Sequence, residues 1–123
     1  MTETKPKGSP QARPGDAIET VTGTTFAPSV LEGEGPIAVE FMSYGCAHCR
    51  VLEPILQQVA KQVATKERLF RVNITTEEGL AESYGIAGPP TLIMFLNGKE
   101  VGRVDGPHPT VRTVLAAVTQ PFE

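Results

Sequence analysis

The sequence predicts a single α/β domain in which a mixed β-sheet is sandwiched by helices. Three observations lead to this fold class. Short apolar runs typical of buried strands alternate with segments of helical periodicity, an Asn-Gly pair late in the chain predicts one antiparallel hairpin, and 123 residues suffice for one domain. The predicted order is β-α-β-α-β-α-β-β-α, which combines parallel crossovers with one hairpin.

The first 15 residues are predicted to form a disordered tail, and residues 16–123 the folded domain. The tail contains three prolines and two glycines but no Val, Ile, Leu or Phe, so it cannot bury enough apolar surface to offset the entropy of ordering it. Directly after it, residues 18–21 are prone to form a strand, and Thr25 is placed to cap a short helix through Leu31.

A buried strand followed by an amphipathic helix is predicted in the middle of the chain. Residues 37–42 are nearly continuously apolar, which is typical of a strand with both faces covered. The helical pattern begins after Gly45 and contains Pro54, which removes one backbone hydrogen bond and kinks the axis. Apolar side chains at helical spacing form one face of this helix: Leu52, Ile55, Leu56, Val59 and Val63.

A second strand and helix follow in the same alternation. Residues 69–74 have the composition of a strand. Thr75 and Glu78 have the spacing of a capping box, in which each side chain satisfies a free backbone N–H group of the other residue, and Gly85 is placed to end the helix.

The chain closes with a hairpin and a helix. Residues 91–96 and 99–104 are predicted strands joined by Asn97-Gly98, two residues that tolerate a positive φ angle. The second of these strands is expected at an edge of the sheet. Apolar positions at helical spacing then predict a last helix: Val111, Val114, Leu115 and Val118.

Charge and hydropathy exclude several classes of function. Eleven Lys and Arg residues stand against fourteen Asp and Glu residues, whereas a nucleic-acid binder needs a basic face. No uninterrupted apolar run exceeds five residues, and a membrane-spanning helix needs roughly 18. The N-terminus carries no apolar stretch of the kind found in secretory signals, so a cytoplasmic location is expected.

Both cysteines lie in one motif, Cys46-Ala47-His48-Cys49, after a predicted strand and at the start of a predicted helix. Unpaired N–H groups at a helix N-terminus stabilise a thiolate. The spacing brings the second sulfur within reach of the first, so Cys46 can attack a substrate disulfide and Cys49 can resolve the mixed disulfide. His48 and Arg50 are expected to favour the ionised form of Cys46.

Three other interpretations of the motif are weaker. A structural disulfide would close a loop of only four residues and remove little chain entropy. Structural zinc needs four ligands, and beyond the cysteines only His48 and the distant His108 are suitable. Covalent haem attachment needs a histidine where Arg50 stands. A redox-active dithiol is therefore favoured.

From Ile18 to its C-terminal helix the chain resembles the thioredoxin family. The resemblance rests on six segments: Pro36 to Phe41, Pro54-Ile55-Leu56, Val72-Asn73-Ile74, Tyr84 to Leu92, Asn97-Gly98 and Gly106. It implies a thioredoxin fold and a thiol–disulfide oxidoreductase that uses the Cys46–Cys49 disulfide and no other cofactor.

The resemblance also implies roles for individual residues. Cys46 would be the nucleophile and Cys49 the resolving thiol. Pro90 would follow a cis peptide bond and pack against the sulfurs, presenting the backbone of Pro89 to an extended substrate peptide.

A buried acid belongs to the same family pattern. Glu40 aligns with the family acid beneath Cys49, where burial raises a carboxyl pKa and allows proton exchange with the resolving thiol. A partly exposed strand residue is the alternative. Arg71 stands where relatives often carry a basic partner of this acid, and a pair with Glu40 would oppose the raised pKa. The sequence leaves this choice open.

The chain departs from the family pattern at its substrate face. Gly45 replaces the usual Trp before the first cysteine, and Pro89 has no N–H group to donate to a bound peptide. Residues 41–46 with His48 look closer to DsbA-type oxidases, yet the 40 residues between Cys49 and Pro90 are too few for the helical insertion of those proteins.

Two functions from different classes follow. The first is a monomeric oxidoreductase that exchanges protein thiols and disulfides and is recycled by a reductase or oxidase, with its redox direction open. The second is a binding or assembly module in which redox activity is secondary. A weaker third is metal or cluster ligation between two chains through the cysteine pair.

Overall fold

The structure, a computed structural model, describes residues 15–123, so residues 1–14 of the predicted tail lie outside the described part. The described chain forms one sheet with helices on both sides. The strands are β1 (Glu19–Thr20), β2 (Pro36–Met42), β3 (Arg68–Asn73), β4 (Thr91–Leu96) and β5 (Lys99–Asp105). The helices are α1 (Ala47–Val63), α2 (Glu78–Ser83) and α3 (Val111–Thr119), with a π-helical turn at Ala27–Leu31 and a 3₁₀ turn at Gln120–Phe122.

The sheet is mixed, as predicted, with the strand order β1-β3-β2-β4-β5. Strands β1, β3 and β2 run parallel, whereas β4 is antiparallel to both β2 and β5. β2 therefore lies at the centre, and all of its residues after Pro36 are buried. β5 lies at an edge. Among residues 15–123, no helix is long and apolar enough to cross a membrane.

Two cores form on the two faces of the sheet. Helices α1 and α3 cover one face, where Ala38 of β2 packs with Leu56 and Val118. The π-helical turn and α2 cover the other, where Phe41 of β2 packs in an aromatic cluster with Phe26, Tyr84 and Phe95. Side chains of a strand alternate between the two faces of the sheet. Glu40 therefore lies on the same face as Ala38, the face that α1 covers, and Phe41 lies on the opposite face.

The predicted hairpin turn is confirmed, and it packs against the chain that enters β2. Asn97 and Gly98 have φ angles of 51° and 84°. The Asn97 Oδ1 atom accepts a hydrogen bond of 2.8 Å from the N–H group of Gly35. A Cβ atom at Gly98 would collide with the carbonyl oxygen of Leu31, so this position needs glycine for both its conformation and its packing.

The predicted cap at Thr25 is wrong. The helical turn follows Phe26 and has no side-chain cap. The Thr25 hydroxyl instead accepts a hydrogen bond of 2.8 Å from the N–H group of Thr22. A threonine hydroxyl can bond to either side in the sequence, and here it closes the turn before the helix.

The predicted capping box of α2 is also wrong. The helix begins at Glu78, follows Glu77 and has no side-chain cap. The preceding segment is organised by Asn73 at the end of β3: its Oδ1 accepts from the Thr75 N–H group at 3.0 Å, and its carbonyl accepts from the Thr76 hydroxyl at 3.2 Å. This local turn uses the Thr75 N–H group that a capping box would need, and the Thr75 hydroxyl lies 3.4 Å from Ser43 Oγ instead of capping α2.

Candidate active site

Cys46 stands at the junction of β2 and α1 and caps the helix with its own sulfur. Its backbone is extended, with φ −87° and ψ 119°, and its Sγ atom accepts a hydrogen bond of 3.1 Å from the N–H group of Cys49. One of the unpaired N–H donors at the helix N-terminus thus points at the sulfur. Such a donor stabilises a thiolate more than a thiol.

The two thiols are free and differ in exposure. Cys46 is half-buried, whereas Cys49 is only 2% exposed. Burial raises the pKa of Cys49 to about 12, with further contributions from its hydrogen bond to Cys46 and from the charge of Glu40, while a backbone hydrogen bond from Ser43 opposes the shift. Cys49 therefore keeps its proton at neutral pH.

A proline pair faces Cys46. The Pro89–Pro90 peptide bond is cis, as predicted. The Cys46 thiol lies 3.8 Å from the carbonyl oxygen of Pro89, and the Pro90 carbonyl accepts a hydrogen bond of 2.7 Å from the N–H group of Gly106. At Gly45, the residue before Cys46, an added Cβ atom would meet only Ser43 Oγ, at 3.9 Å, apart from its chain neighbours. The position directly before Cys46 therefore has room for a side chain.

The two basic residues of the motif bond to backbone carbonyls. His48 Nε2 lies 3.0 Å from the carbonyl oxygen of Pro107, and since a carbonyl only accepts, Nε2 carries the hydrogen. Arg50 Nη1 donates to the carbonyl of Tyr44 at 3.2 Å. The structure thus ties His48 to the loop after β5 and Arg50 to the loop before α1.

Glu40 is a buried acid on the α1 side of β2. It is 2% exposed, and both of its carboxylate oxygens lack a hydrogen-bond partner. Burial raises its pKa to about 8, the negative charge of Glu53 adds to the increase, and Arg71 opposes it. The charge of Glu40 also raises the pKa of Cys49, so the acid acts electrostatically on the buried thiol.

Arg71 forms its ion pairs with other carboxylates. Its guanidinium, fully buried, lies 2.8 Å from Asp16 Oδ2 and 2.8 Å from Glu53 Oε2. Sequence reasoning missed Asp16 and Glu53. Glu53 lies one helical turn after Cys49, which is a usable signal, whereas Asp16 is 55 residues away from Arg71 and gives none.

A cavity of about 240 Å³ lies next to Cys49. Its lining combines apolar and charged side chains: Met42, Ser43, Tyr44, Cys49, Arg50, Glu53 and Pro54. The cavity is large enough for water to approach Cys49. In the described part of the chain, no group of three or more His, Cys, Asp or Glu side chains could hold a metal ion.

Comparisons with known proteins agree with this geometry. The thioredoxin family model matches residues 17–119. Thioredoxin 1 of Synechococcus elongatus is 35% identical over 96 residues, covering 78% of this chain and 88% of the relative. Thioredoxin C-2 of Corynebacterium nephridii is 34% identical over 100 residues, covering 81% and 91%. A family model that spans nearly the whole described chain, relatives matched over most of their length, and a Cys-x-x-Cys motif at a helix N-terminus lead to one conclusion: the chain belongs to the thioredoxin family and is a thiol–disulfide oxidoreductase.

Proposed function

We propose that Cys46 is the nucleophile and Cys49 the resolving thiol in an exchange with protein disulfides. The observation that carries this assignment is the contrast between the two sulfurs. Cys46 is half-buried and accepts a backbone N–H group at the start of α1, whereas Cys49 is buried and holds its proton. A substrate can therefore reach the sulfur that accepts the helix N–H group, whereas the second thiol is shielded from the substrate by burial.

The reaction has two displacements. The Cys46 thiolate attacks one sulfur of the substrate disulfide, and the other substrate sulfur leaves as a thiolate. Cys49 then loses its proton and attacks Cys46 Sγ, which releases the second substrate thiolate and forms the Cys46–Cys49 disulfide. Two electrons pass from the dithiol to the substrate, and the reverse sequence oxidises a substrate dithiol.

Glu40 is proposed as the group that exchanges the proton of Cys49. Its carboxyl is buried and has no competing hydrogen-bond partner, and its charge raises the pKa of that thiol. A general acid or base works best when its pKa lies near the working pH, and the pKa of Glu40 is raised to about 8. The protonated carboxyl can give a proton to Cys49 when it leaves the disulfide, and the carboxylate can accept it in the other direction.

The substrate is proposed to bind across Gly45, Pro89 and Pro90. The position of Gly45, directly before Cys46, is open, and the Pro89 carbonyl lies 3.8 Å from the Cys46 sulfur as an acceptor for a peptide N–H group. His48 and Arg50 are proposed to stabilise the Cys46 thiolate electrostatically from the first turn of α1. Their side chains are oriented by hydrogen bonds to the backbone carbonyls of Pro107 and Tyr44.

The partners follow from the chemistry. Protein thiols and disulfides are the proposed substrates, and a reductase or oxidase that returns the cysteine pair to its starting state is the proposed recycling partner. The Cys46–Cys49 disulfide is proposed to be the only redox group. A binding module with secondary redox activity is not favoured, because the matched relatives are thioredoxins over most of their length. A cytoplasmic location and a monomeric state stay predictions.

Reduction of insulin disulfides tests the roles of the two sulfurs. We expect Cys46→Ser to abolish reduction and Cys49→Ser to stop after the first displacement, so that only the second variant accumulates a mixed disulfide detectable by mass spectrometry. Ser43→Ala, which changes a neighbouring side chain but neither sulfur, is the control. Reduction by Cys46→Ser at the wild-type rate would overturn the assignment.

A further inference from the structure

The strand register places a buried acid next to a buried base, yet the two side chains do not form an ion pair. Glu40 on β2 and Arg71 on β3 are partners in the parallel register, so their side chains emerge next to each other on the same face of the sheet. Both residues are nearly inaccessible, at 2% and 0% exposure. A carboxylate and a guanidinium so placed normally form an ion pair, yet both Glu40 oxygens are without a hydrogen-bond partner.

The two terminal nitrogens of the Arg71 guanidinium donate to groups other than Glu40. Nη1 donates to Asp16 Oδ2 at 2.8 Å and to the Ile18 carbonyl at 3.1 Å. Nη2 donates to Glu53 Oε2 at 2.8 Å and to Asp16 Oδ1 at 3.3 Å. These contacts use the four hydrogens of the two terminal nitrogens, and Nε is left without a partner.

Gln57 fixes the two carboxylates that hold the guanidinium. Its Nε2 donates to Asp16 Oδ1 at 2.7 Å and to Glu53 Oε2 at 2.8 Å. Its Oε1 accepts from the N–H group of Ala17 at 2.8 Å. Asp16 is thereby joined to α1 as well as to β3. We call the cluster of Asp16, Glu53, Gln57 and Arg71 the arginine clamp.

Charge balance explains what the clamp does to the acid. Asp16 and Glu53 place two negative charges against the single positive charge of Arg71. The cluster is therefore already negative, and an ionised Glu40 would add a further buried negative charge without a cation to pair with, which is costly. Besides Arg71, the titratable groups that interact electrostatically with Glu40 are Glu53 and Cys49 of α1, and its partner on β4 is the apolar Leu92. None of these offers a second cation.

We propose that Asp16 and Glu53 are positioning residues that hold the Arg71 guanidinium away from Glu40 and so keep Glu40 protonated, ready to give a proton to Cys49 when that sulfur leaves the disulfide. The clamp deepens the proposed function, because its role in the reaction rests on the proposed proton exchange between Glu40 and Cys49. Asp16 acts only through Arg71, which makes it the residue to change.

The test is the titration of the Glu40 carboxyl, followed by carbon NMR on protein labelled at the glutamate side-chain carbonyl. The Glu40 signal is assigned by its loss in Glu40→Gln. We expect Asp16→Asn to free the Arg71 charge and to lower the Glu40 midpoint by roughly 1–3 pH units, the effect of an opposite charge at close range. Glu19→Gln removes the same charge from an exposed pair with Arg68 and is expected to leave the midpoint unchanged.

A double-mutant cycle tests whether Asp16 changes the Glu40 midpoint through Arg71. In an Arg71→Gln background, Asp16→Asn is expected to leave the Glu40 midpoint where it was, because the guanidinium that transmits the change is gone. If Asp16→Asn does not fold, Gln57→Leu loosens both carboxylates without changing a charge and is expected to lower the midpoint by a smaller amount. An unchanged midpoint in a folded Asp16→Asn or Gln57→Leu protein would overturn the clamp.

The pH profile of the exchange reaction separates this inference from the proposed function. If the clamp and the proton exchange both hold, the pH dependence of substrate oxidation moves with the Glu40 midpoint in Asp16→Asn. If the midpoint moves while the rate profiles of wild type and Glu40→Gln coincide, the clamp is supported and the proton role of Glu40 is overturned.

Discussion

His48 Nε2 lies 3.0 Å from the carbonyl oxygen of Pro107, so the residue between the two cysteines is joined to the loop that follows β5. The contact fixes the hydrogen on Nε2 in the neutral ring, and it also suits the charged ring, because both nitrogens then donate. A cation formed at this place lies in the first turn of α1, next to the sulfur that caps the helix. Both states of His48 are therefore held in one orientation.

Substitution of His48 is expected to make the cysteine pair less oxidising. Since His48 is proposed to stabilise the thiolate of the reduced form, its loss in His48→Leu destabilises that form and lowers the reduction potential. The expected change is roughly 20–30 mV, equivalent to about 1 kcal/mol for two electrons. Equilibration with glutathione buffers measures it. His108→Leu, at an exposed loop position, is the control, and an equal change in both variants would contradict the role of His48.

Glu40→Gln is expected to stabilise the protein at alkaline pH but not at acid pH. The folded pKa of about 8 lies above the ordinary value of 4.5, so the folded state binds more protons between these values and stability falls as pH rises through this window. The shift corresponds to a free energy of roughly 3–5 kcal/mol above pH 8. Urea unfolding at pH 4.5 and pH 8.5 measures the gain. Exposed Glu82→Gln serves as the control, and equal stability of Glu40→Gln and wild type at pH 8.5 would refute the prediction.

Glu67→Gln is also expected to stabilise the protein at alkaline pH, and the change in stability is expected over a narrower pH range than for Glu40→Gln. Glu67 is 5% exposed, its Oε2 atom is buried without a partner, and burial raises its pKa to about 7. The loss of stability with rising pH then lies between pH 4.5 and 7. We expect a gain of roughly 1–3 kcal/mol for Glu67→Gln at pH 8, measured by urea unfolding. Disulfide exchange should be unaffected, and a stability gain that is independent of pH would speak against the raised pKa.

Gly98→Ala is expected to destabilise the protein more than Gly35→Ala does. Both glycines have a positive φ, 84° and 76°, so alanine costs roughly 1–2 kcal/mol at either position. Only at Gly98 does the new Cβ atom collide with backbone, the Leu31 carbonyl, whereas at Gly35 it meets nothing within 4 Å. Thermal unfolding of both variants compares them. Equal losses of stability would show that the turn can move away from Leu31.

Elements defined by a continuous pattern were predictable, because burial dictates their residue types. The strand predicted over residues 91–96 has the observed bounds, and Asn97-Gly98 adopts the turn that its tolerance of positive φ predicts. The buried position of Glu40 followed from the family resemblance. The caps at Thr25 and Thr75 failed, since short polar side chains choose between neighbouring backbone groups of similar energy.

The arginine clamp lay beyond sequence reasoning for a different reason. Arg71 was open to a pair with Glu40, its neighbour in the sheet, and the actual partners are separated from it by 55 and 18 residues. Which carboxylate a buried cation contacts depends on how helix α1 and the segment before β1 pack over the sheet. No local sequence pattern indicates which carboxylate that is.

The sulfur that we propose as the nucleophile also caps the start of α1, and this makes one inactive variant of the protein easy to interpret. Serine is among the best residues for beginning a helix because its oxygen accepts the same backbone hydrogen that the Cys46 sulfur accepts. Replacing Cys46 with serine is therefore expected to remove thiol–disulfide exchange and to leave the start of α1 intact. A substrate that still associates with such a protein is held by surface contacts alone, so recognition and electron transfer can be measured apart.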